Sequence, residues 1–123
     1  MFEARVDKAR NLLAVSYSEN VGQEEARRCE EQLRQLLPEL QPGFQVLADL
    51  TRLEAMDTAC VPHIRRIMDL CYQKGVNAVV RVIPDPRKDI GFNILSLFHY
   101  RRHVRIVTCQ TLEEARKMLS GEA

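Results

Sequence analysis

The stretch Gln45–Tyr72 constrains the fold most, because it joins a buried strand to an amphipathic helix. The apolar run Val46-Leu47-Ala48, closed by Asp49-Leu50-Thr51, is typical of a strand buried on both faces of a parallel sheet. An irregular segment is predicted over 52–56, and Asp57-Thr58 supplies two residues favoured at helix N-caps. Apolar residues then recur with the three-and-four spacing of a helix: Val61, Ile64, Ile67, Met68, Cys71 and Tyr72. Functional groups of open α/β sheets gather where strands end, so this corner is the leading candidate site.

Two strands and a long helix are predicted before this stretch. Phe2–Asp7 alternates apolar and polar residues, and the more continuously apolar Leu12–Tyr17 follows a turn, so we expect a hairpin. Asn20 with Gln23 resembles a capping box at a helix start. The helix has an apolar stripe: Ala26, Cys29, Leu33, Leu36, Leu37 and Leu40. The charged residues between them are assigned to a solvated outer face: Arg27, Arg28, Glu30, Glu31 and Arg34.

The second half of the chain continues the alternation of strand and helix. Gly75 suits a helix C-cap, and the β-branched run Ala78–Ile83 is the strongest strand prediction. A shorter helix over 89–98 and a strand over 104–108 follow, and Thr111 with Glu114 predicts a capping box for a last helix. The expected fold is α/β, a single domain over 1–123 with a mixed, mostly parallel sheet flanked by helices in the order β-β-α-β-α-β-α-β-α.

Composition argues against several functional classes. The net charge of +1 gives no argument for nucleic acid or a membrane surface as partner. No apolar run approaches the roughly 20 residues of a membrane span, and the N-terminus lacks a signal-peptide core, so we expect a cytoplasmic protein. The glycines are too dispersed for a nucleotide-binding loop, and neither a cofactor nor a metal site is predicted. The cysteines form no closely spaced pair and are interpreted as buried thiols: Cys29, Cys60, Cys71 and Cys109.

Four segments carry a family resemblance: Val46–Thr51, Met56-Asp57-Thr58 at a helix start, Gly75–Val80 and Thr111–Ala115. Through them the chain resembles, over nearly its whole length, the STAS family of bacterial anti-sigma factor antagonists and their stress-signalling relatives. The resemblance implies a small, non-enzymatic signalling domain that docks a protein partner, such as an anti-sigma-type kinase or a related regulator. In the family, a partner kinase phosphorylates the serine or threonine that follows this aspartate, which here is Thr58.

One departure from the family motif affects the site. Anti-sigma factor antagonists commonly continue Asp-Ser-Ser-Gly or similar, whereas this chain continues Asp57-Thr58-Ala59-Cys60, so the glycine is missing. The pair without the glycine looks more like the stress-signalling relatives, or like a divergent member that has lost phosphorylation. We assign the phosphoacceptor to Thr58. Partner contacts are assigned to the corner and to the strand before it: Asp49, Asp57, Thr58, Ala59, Cys60 and His63.

The corner also has an interpretation that does not need the family. Phosphorylation at a helix start adds about −1.5 to −2 charge where the helix dipole stabilises an anion, while the same charge repels an acidic partner. Such a change leaves the domain folded and weakens a docked interface, as a binding switch requires. The alternative is purely structural, with Thr58 capping the helix and Asp57 capping a neighbouring turn.

Three further hypotheses come from other residues. Cys60 in a first helical turn, with His63 on the same face, suits a thiolate nucleophile, although no oxyanion donor or orienting group is evident. The basic run His99–Arg105 suits phosphate, an acidic partner or a metal or, more simply, a solvated helix end. Four large apolar residues exceed what one helical stripe needs and predict either a small apolar or lipid-like ligand or a homodimer contact: Phe92, Leu97, Phe98 and Tyr100.

Overall fold

The computed structural model describes residues 1–83 and 104–119. The strands are β1 (Phe2–Asp7), β2 (Leu12–Val21), β3 (Gln45–Met56), β4 (Ala78–Val82) and β5 (Arg105–Cys109). The helices are α1 (Gln23–Leu36), α2 (Val61–Lys74) and α3 (Leu112–Leu119), and short 3₁₀ turns cover Leu37–Glu39 and Thr58–Cys60. The helix predicted over 89–98 lies outside the described residues.

Within the described ranges, the five strands form one sheet in the order in which they occur along the chain. β1 pairs antiparallel with β2, and the pairs β2–β3, β3–β4 and β4–β5 are parallel. An antiparallel pair needs only a short turn, whereas a parallel pair needs a crossover, which α1 and α2 provide for β2–β3 and β3–β4. The predicted α/β fold, with a mostly parallel sheet and an N-terminal hairpin, is confirmed.

The two faces of the sheet have separate cores, because successive side chains of a strand point to opposite faces. Val46 and Val79 pair across β3 and β4 and belong to the larger core, which α1 and α2 cover. Leu47 and Val80, one residue further along, pack with Ala115 of α3 on the other face. This double covering explains why all five residues of β4 are buried, as its β-branched run predicts.

β2 and β3 extend beyond their predicted ends. β3 continues to Met56 through the segment 52–56, so the prediction of an irregular segment there is wrong. β2 continues to Val21, which pairs with Met56 after register shifts near Ser18 and Asn20. The pairing with β2 gives the backbone N–H and C=O groups of 52–56 hydrogen-bond partners. The side chains of Leu53 and Met56 are buried there.

Both ends of α1 differ from the prediction. Asn20 lies in β2, and Gly22 occupies the N-cap position without a side-chain hydrogen bond, so the Asn20–Gln23 capping box is wrong. α-Helical geometry ends at Leu36, and the next turn is 3₁₀, because Pro38 lacks the N–H that would continue the α-helix. The last two residues of the predicted apolar stripe, Leu37 and Leu40, are buried but therefore lie beyond the end of the α-helix.

The ends of the later elements agree better with the prediction. Gly75 caps α2 in the left-handed region at φ 101°, and its N–H bonds to the carbonyls of Cys71 and Tyr72 at 3.2 and 3.1 Å. Thr111 Oγ1 accepts a hydrogen bond from the Glu114 N–H at 3.1 Å, which confirms the capping box. The last strand occupies Arg105–Cys109, one residue later than predicted.

Candidate functional site

The candidate site lies where β3 ends and the turn before α2 begins. Asp57 directly follows Met56, and its backbone N–H donates to the carbonyl of Val21, the last residue of β2, at 3.0 Å. Its carboxylate Oδ1 accepts a hydrogen bond from the Ala59 N–H at 2.9 Å, so Asp57 caps the 3₁₀ turn Thr58–Cys60. The position of Asp57 is thus fixed by both strands and by the turn that it caps.

Thr58 is exposed, and its hydroxyl makes no hydrogen bond with any residue of the described ranges. The N-cap position of α2 is Cys60, which makes no side-chain cap. In the structural alternative, the cap of the helix by the Thr58 hydroxyl is therefore wrong, whereas the cap of the neighbouring turn by Asp57 is confirmed. The corner presents a hydroxyl without a structural bond beside a carboxylate whose orientation is fixed.

Neither Ala59 nor Cys60, which stands where the family's Asp-Ser-Ser-Gly motif has glycine, introduces backbone strain. In the described part of the chain, positive φ among non-glycine residues occurs only at Asn11 and Glu19. Ala59 therefore has negative φ, and Cys60 follows in right-handed helical geometry at φ −75° and ψ −18°. Since the conformational freedom of glycine matters where φ is positive, the turn after Thr58 forms without it.

Cys60 is buried and unsuited to nucleophilic attack. Its side chain is inaccessible to solvent, and its Sγ lies 3.6 Å from the carbonyl oxygen of Val21. Burial, followed by the nearby Asp57 carboxylate, raises the pKa of the Cys60 thiol. A thiol that is held protonated and away from water is a poor nucleophile. All four cysteines are free and buried, as predicted.

His63 belongs to a charged cluster between α1 and α2 rather than to a pair with Cys60. Its Nδ1 lies 3.0 Å from Glu30 Oε1, which also accepts a hydrogen bond from Arg66 Nε at 2.9 Å. Arg34 donates to the other oxygen of the Glu30 carboxylate at 3.0 Å. Burial by itself raises the pKa of Glu30, but the hydrogen bonds from His63, Arg66 and Arg34 outweigh it and lower this pKa to about 2.

The assignment of Glu30 to the solvated face of α1 is wrong, because its side chain is only 11% exposed. The spacing contains a signal for this burial, since Glu30 stands four residues after Ala26 and three before Leu33, beside the apolar stripe. The spacing does not reveal the partners, because His63 and Arg66 come 33 and 36 residues later. The cluster joins α1 to the beginning of α2 and so holds the helix that starts at the corner.

The corner presents only part of the predicted partner-contact set at the surface. Asp57 and Thr58 are exposed, and Ala59 is half-buried. Cys60 and His63 are buried, so their contribution to a docked interface is indirect, through the packing of the turn and of α2.

Asp49 lies apart from the other predicted contacts. It is seven residues before Met56 in β3, which corresponds to about 23 Å along an extended strand. Its Oδ1 accepts hydrogen bonds from the N–H and the hydroxyl of Thr51, at 3.0 and 2.7 Å. The structure therefore does not bring Asp49 beside Thr58.

Two of the hypotheses depend on residues in the range 84–103, which lies outside the described residues. The proposed ligand or dimer residues lie outside the described residues, as do the histidines of the basic run: Phe92, Leu97, Phe98, Tyr100, His99 and His103. Between the sheet and the pair α1–α2, the described residues enclose a cavity of about 30 Å³, which is the share of one water molecule and not of an apolar ligand.

No group of histidine, cysteine, aspartate and glutamate side chains within residues 1–83 and 104–119 is arranged to hold a metal ion. Among the helices that the structure describes, none combines the length and the apolar character that crossing a membrane requires.

Comparisons with known proteins identify the fold. No family model matches the sequence, and no curated protein matches it significantly. The structure of the anti-sigma factor antagonist SpoIIAA in its unphosphorylated form matches with a TM-score of 0.65 at 14% identity, over 98% of this chain and 99% of that chain. A protein with a SpoIIAA-like fold from Shewanella loihica matches with a TM-score of 0.67 at 13% identity, over 96% and 93% of the two chains.

A third solved structure agrees with these two. An anti-sigma factor antagonist from Mycobacterium paratuberculosis matches with a TM-score of 0.56 at 17% identity, over 98% of this chain and 95% of that chain. The chain therefore has the SpoIIAA-like fold that the STAS resemblance predicts. At these identities the likeness concerns the fold alone.

Proposed function

We propose that this chain is a non-enzymatic regulator that docks another protein through the corner formed by Asp57 and Thr58, and that phosphorylation of Thr58 releases the partner. The observation that carries the proposal is the exposed Thr58 hydroxyl, which makes no bond to the described residues while Asp57 makes the cap. The fold supports it, because two proteins that share the fold are anti-sigma factor antagonists. We expect the partner to be an anti-sigma-type kinase or a related regulator in the cytoplasm of a bacterium.

The corner has the physical properties that a phosphorylation switch needs. A phosphate on Thr58 adds about −1.5 to −2 charge at an exposed position whose hydroxyl supports no other group, so the domain stays folded. A partner carboxylate docked about 4 Å away would be repelled by roughly 4 kcal/mol for each unit of charge at a protein surface. Since about 1.4 kcal/mol is a factor of ten in affinity, repulsion of this size releases the partner even after screening by salt.

Two substitutions at Thr58 test the switch. Thr58→Asp, which adds a negative charge, is expected to fold normally and to lose the partner in a pull-down from an extract of the native host. Thr58→Val, which removes only the hydroxyl, is expected to bind the partner whether or not the kinase is active. Mass spectrometry of the chain isolated from the same host is expected to find the phosphate on Thr58.

The control places the same charge elsewhere. Gln73 is exposed near the C-terminal end of α2, and Gln73→Asp is expected to recover the partner as well as the wild type does. Equal recovery of one partner by Thr58→Asp and by wild type contradicts the switch. Equal loss by Thr58→Asp and Gln73→Asp contradicts docking through the corner and indicates a general effect of charge.

A further inference from the structure

A groove on the outer face of the sheet, between β1 and α3, lies far from the Thr58 corner. Its floor includes Leu47, nine residues before Met56 in β3, or about 30 Å along the strand. The groove has a volume of about 510 Å³. We call it the cationic groove, and its rim and floor residues are Arg5, Lys8, Arg10, Arg116, Ala14 and Leu47.

Among the described elements, α3 covers only part of this face and leaves the floor of the groove uncovered. Arg5, Ala14, Leu47 and Val80 stand in one row across β1 to β4. α3 has eight residues, about 12 Å of helix, and packs over Val80. Ala14 and Leu47 are half-buried, so the floor offers some apolar surface next to the side chain of Arg5.

The rim carries positive charge that the described residues do not neutralise. Arg5, Arg10 and Arg116 are exposed and form no ion pair within the described ranges. Lys8 has one exposed ion pair at 3.5 Å, an interaction that contributes little. Among the described residues that line the groove, Asp7 is the only carboxylate, and it accepts a hydrogen bond from the backbone N–H of Arg10 at 3.3 Å.

The shape and the charge favour one kind of occupant. The cations come from a strand, a turn and a helix and line one open groove of about 510 Å³, a size that suits an extended anion with several charges better than one small ion. A nucleic acid does not fit, because Glu3 and Asp49 line the adjoining depression of about 460 Å³ and repel a continuous polyanion. A short acidic segment can instead lie towards Lys8 and Arg10, in the part of the groove that neither carboxylate lines. Arginine is also enriched where proteins meet proteins.

We propose that the cationic groove binds an acidic segment of a partner protein, with carboxylates on Arg5 and Arg116 and an apolar side chain on Ala14 and Leu47. This surface is separate from the Thr58 corner, so its existence does not depend on the switch. The carboxylates of the segment accept charged hydrogen bonds from the arginines, and its apolar side chain covers the half-buried floor of the groove.

A short blocked peptide in which glutamate and leucine alternate is the probe. Titrated into isotope-labelled protein, it is expected to shift the backbone amide signals of Ala14, Leu47 and Leu119, which line the groove, and not that of Thr58. The affinity for the peptide is expected to fall when the ionic strength rises from about 0.01 M to about 0.1 M, because the Debye length shortens from about 30 Å to about 10 Å and the charges are screened. A peptide with lysine in place of glutamate is expected not to bind.

Paired variants locate the site. The double variant Arg5→Gln with Arg116→Gln is expected to weaken binding by about tenfold or more, since it removes two charged hydrogen-bond donors from the surface. Arg65→Gln, at an exposed position of α2 away from the groove, is the matched control and is expected to bind as the wild type does. All three positions are exposed, so circular dichroism is expected to show the same folded state.

Several outcomes overturn the proposal. Equal binding by the double variant and by Arg65→Gln contradicts a site at Arg5 and Arg116. Equal affinity for a peptide of alternating glutamate and serine contradicts the role of the apolar floor. Binding of octyl phosphate without binding of the glutamate–leucine peptide contradicts a protein segment as occupant and indicates a small amphipathic anion.

Discussion

Replacement of the buried Glu30 by glutamine is expected to destabilise the protein more than the same replacement at an exposed glutamate of α1. The Glu30 carboxylate is 11% exposed and accepts hydrogen bonds from Arg34 and Arg66, with His63 Nδ1 at 3.0 Å. Glutamine keeps the shape but loses the charge, so the cations that face it keep their desolvation cost without the compensating carboxylate.

The magnitude follows from the pKa of Glu30. A fall from 4.5 to about 2 corresponds to about 3 kcal/mol of preference for the ionised form in the folded state, at about 1.4 kcal/mol per unit. The side chains of Arg34 and Arg66 are 53% and 48% exposed, so solvent screens their part of the interaction. We therefore expect Glu30→Gln to lower the free energy of unfolding by about 2 kcal/mol near neutral pH.

Urea unfolding followed by circular dichroism measures this difference. The midpoint is expected to fall while the slope stays the same, because the change alters stability and not the surface exposed on unfolding. The folded-state pKa of Glu30 lies below its unfolded value, so its contribution is fully present above pH 4.5 and is lost as the pH falls towards about 2. The difference in the free energy of unfolding between wild type and Glu30→Gln is therefore expected to become smaller as the pH falls from 4.5 towards about 2.

Glu31→Gln is the matched control, since Glu31 is the next residue of α1, is 65% exposed and pairs with Arg27 at 3.9 Å. Its effect is expected to stay within about 0.5 kcal/mol. If Glu30→Gln and Glu31→Gln shift the unfolding midpoint equally, the buried cluster does not stabilise the packing of α1 on α2, and the reasoning from burial and hydrogen bonds is refuted.

Three further predictions concern the turns and the thiols. Gly75→Ala is expected to cost about 1–2 kcal/mol in urea unfolding, because Gly75 has φ +101° and a Cβ there would lie 3.3 Å from Pro42 Cβ. Gly22→Ala meets nothing within 4 Å and is expected to cost less, about 0.5 kcal/mol, because alanine is a poorer N-cap than glycine. Asp57→Ala is expected to lower the free energy of unfolding by about 0.5–2 kcal/mol, because it removes the cap of the turn Thr58–Cys60. Thr58→Val is expected to change it by no more than about 0.5 kcal/mol. A larger loss with Thr58→Val than with Asp57→Ala would show that Thr58 makes the cap. A thiol-reactive dye is expected to label the native protein slowly and the unfolded protein fast. Burial raises the pKa of the Cys29 thiol to about 11, and it also raises the pKa of the Cys60 thiol. Fast labelling of Cys60 in the native protein would contradict its burial.

Features that depend on neighbours in the sequence were predictable. The β-branched run of β4 specifies a strand that is buried on both faces, and Thr111 with Glu114 specifies its own cap, because the interacting groups lie within one turn. The corner at Asp57 and Thr58 was also placed correctly between a strand and a helix. Which of the two residues makes the cap depends on backbone geometry that the residue types do not determine, since both are good N-cap residues.

Features that depend on distant elements were decided only by the tertiary structure. The segment 52–56 became a strand because β2 lies beside it, and Asn20 could not cap α1 because the same pairing keeps it in β2. Glu30 is buried because His63 and Arg66 meet it from a helix that begins 31 residues later. Periodicity shows which side of an element is apolar, but the groups packed against that side are set by the meeting of elements far apart in the chain.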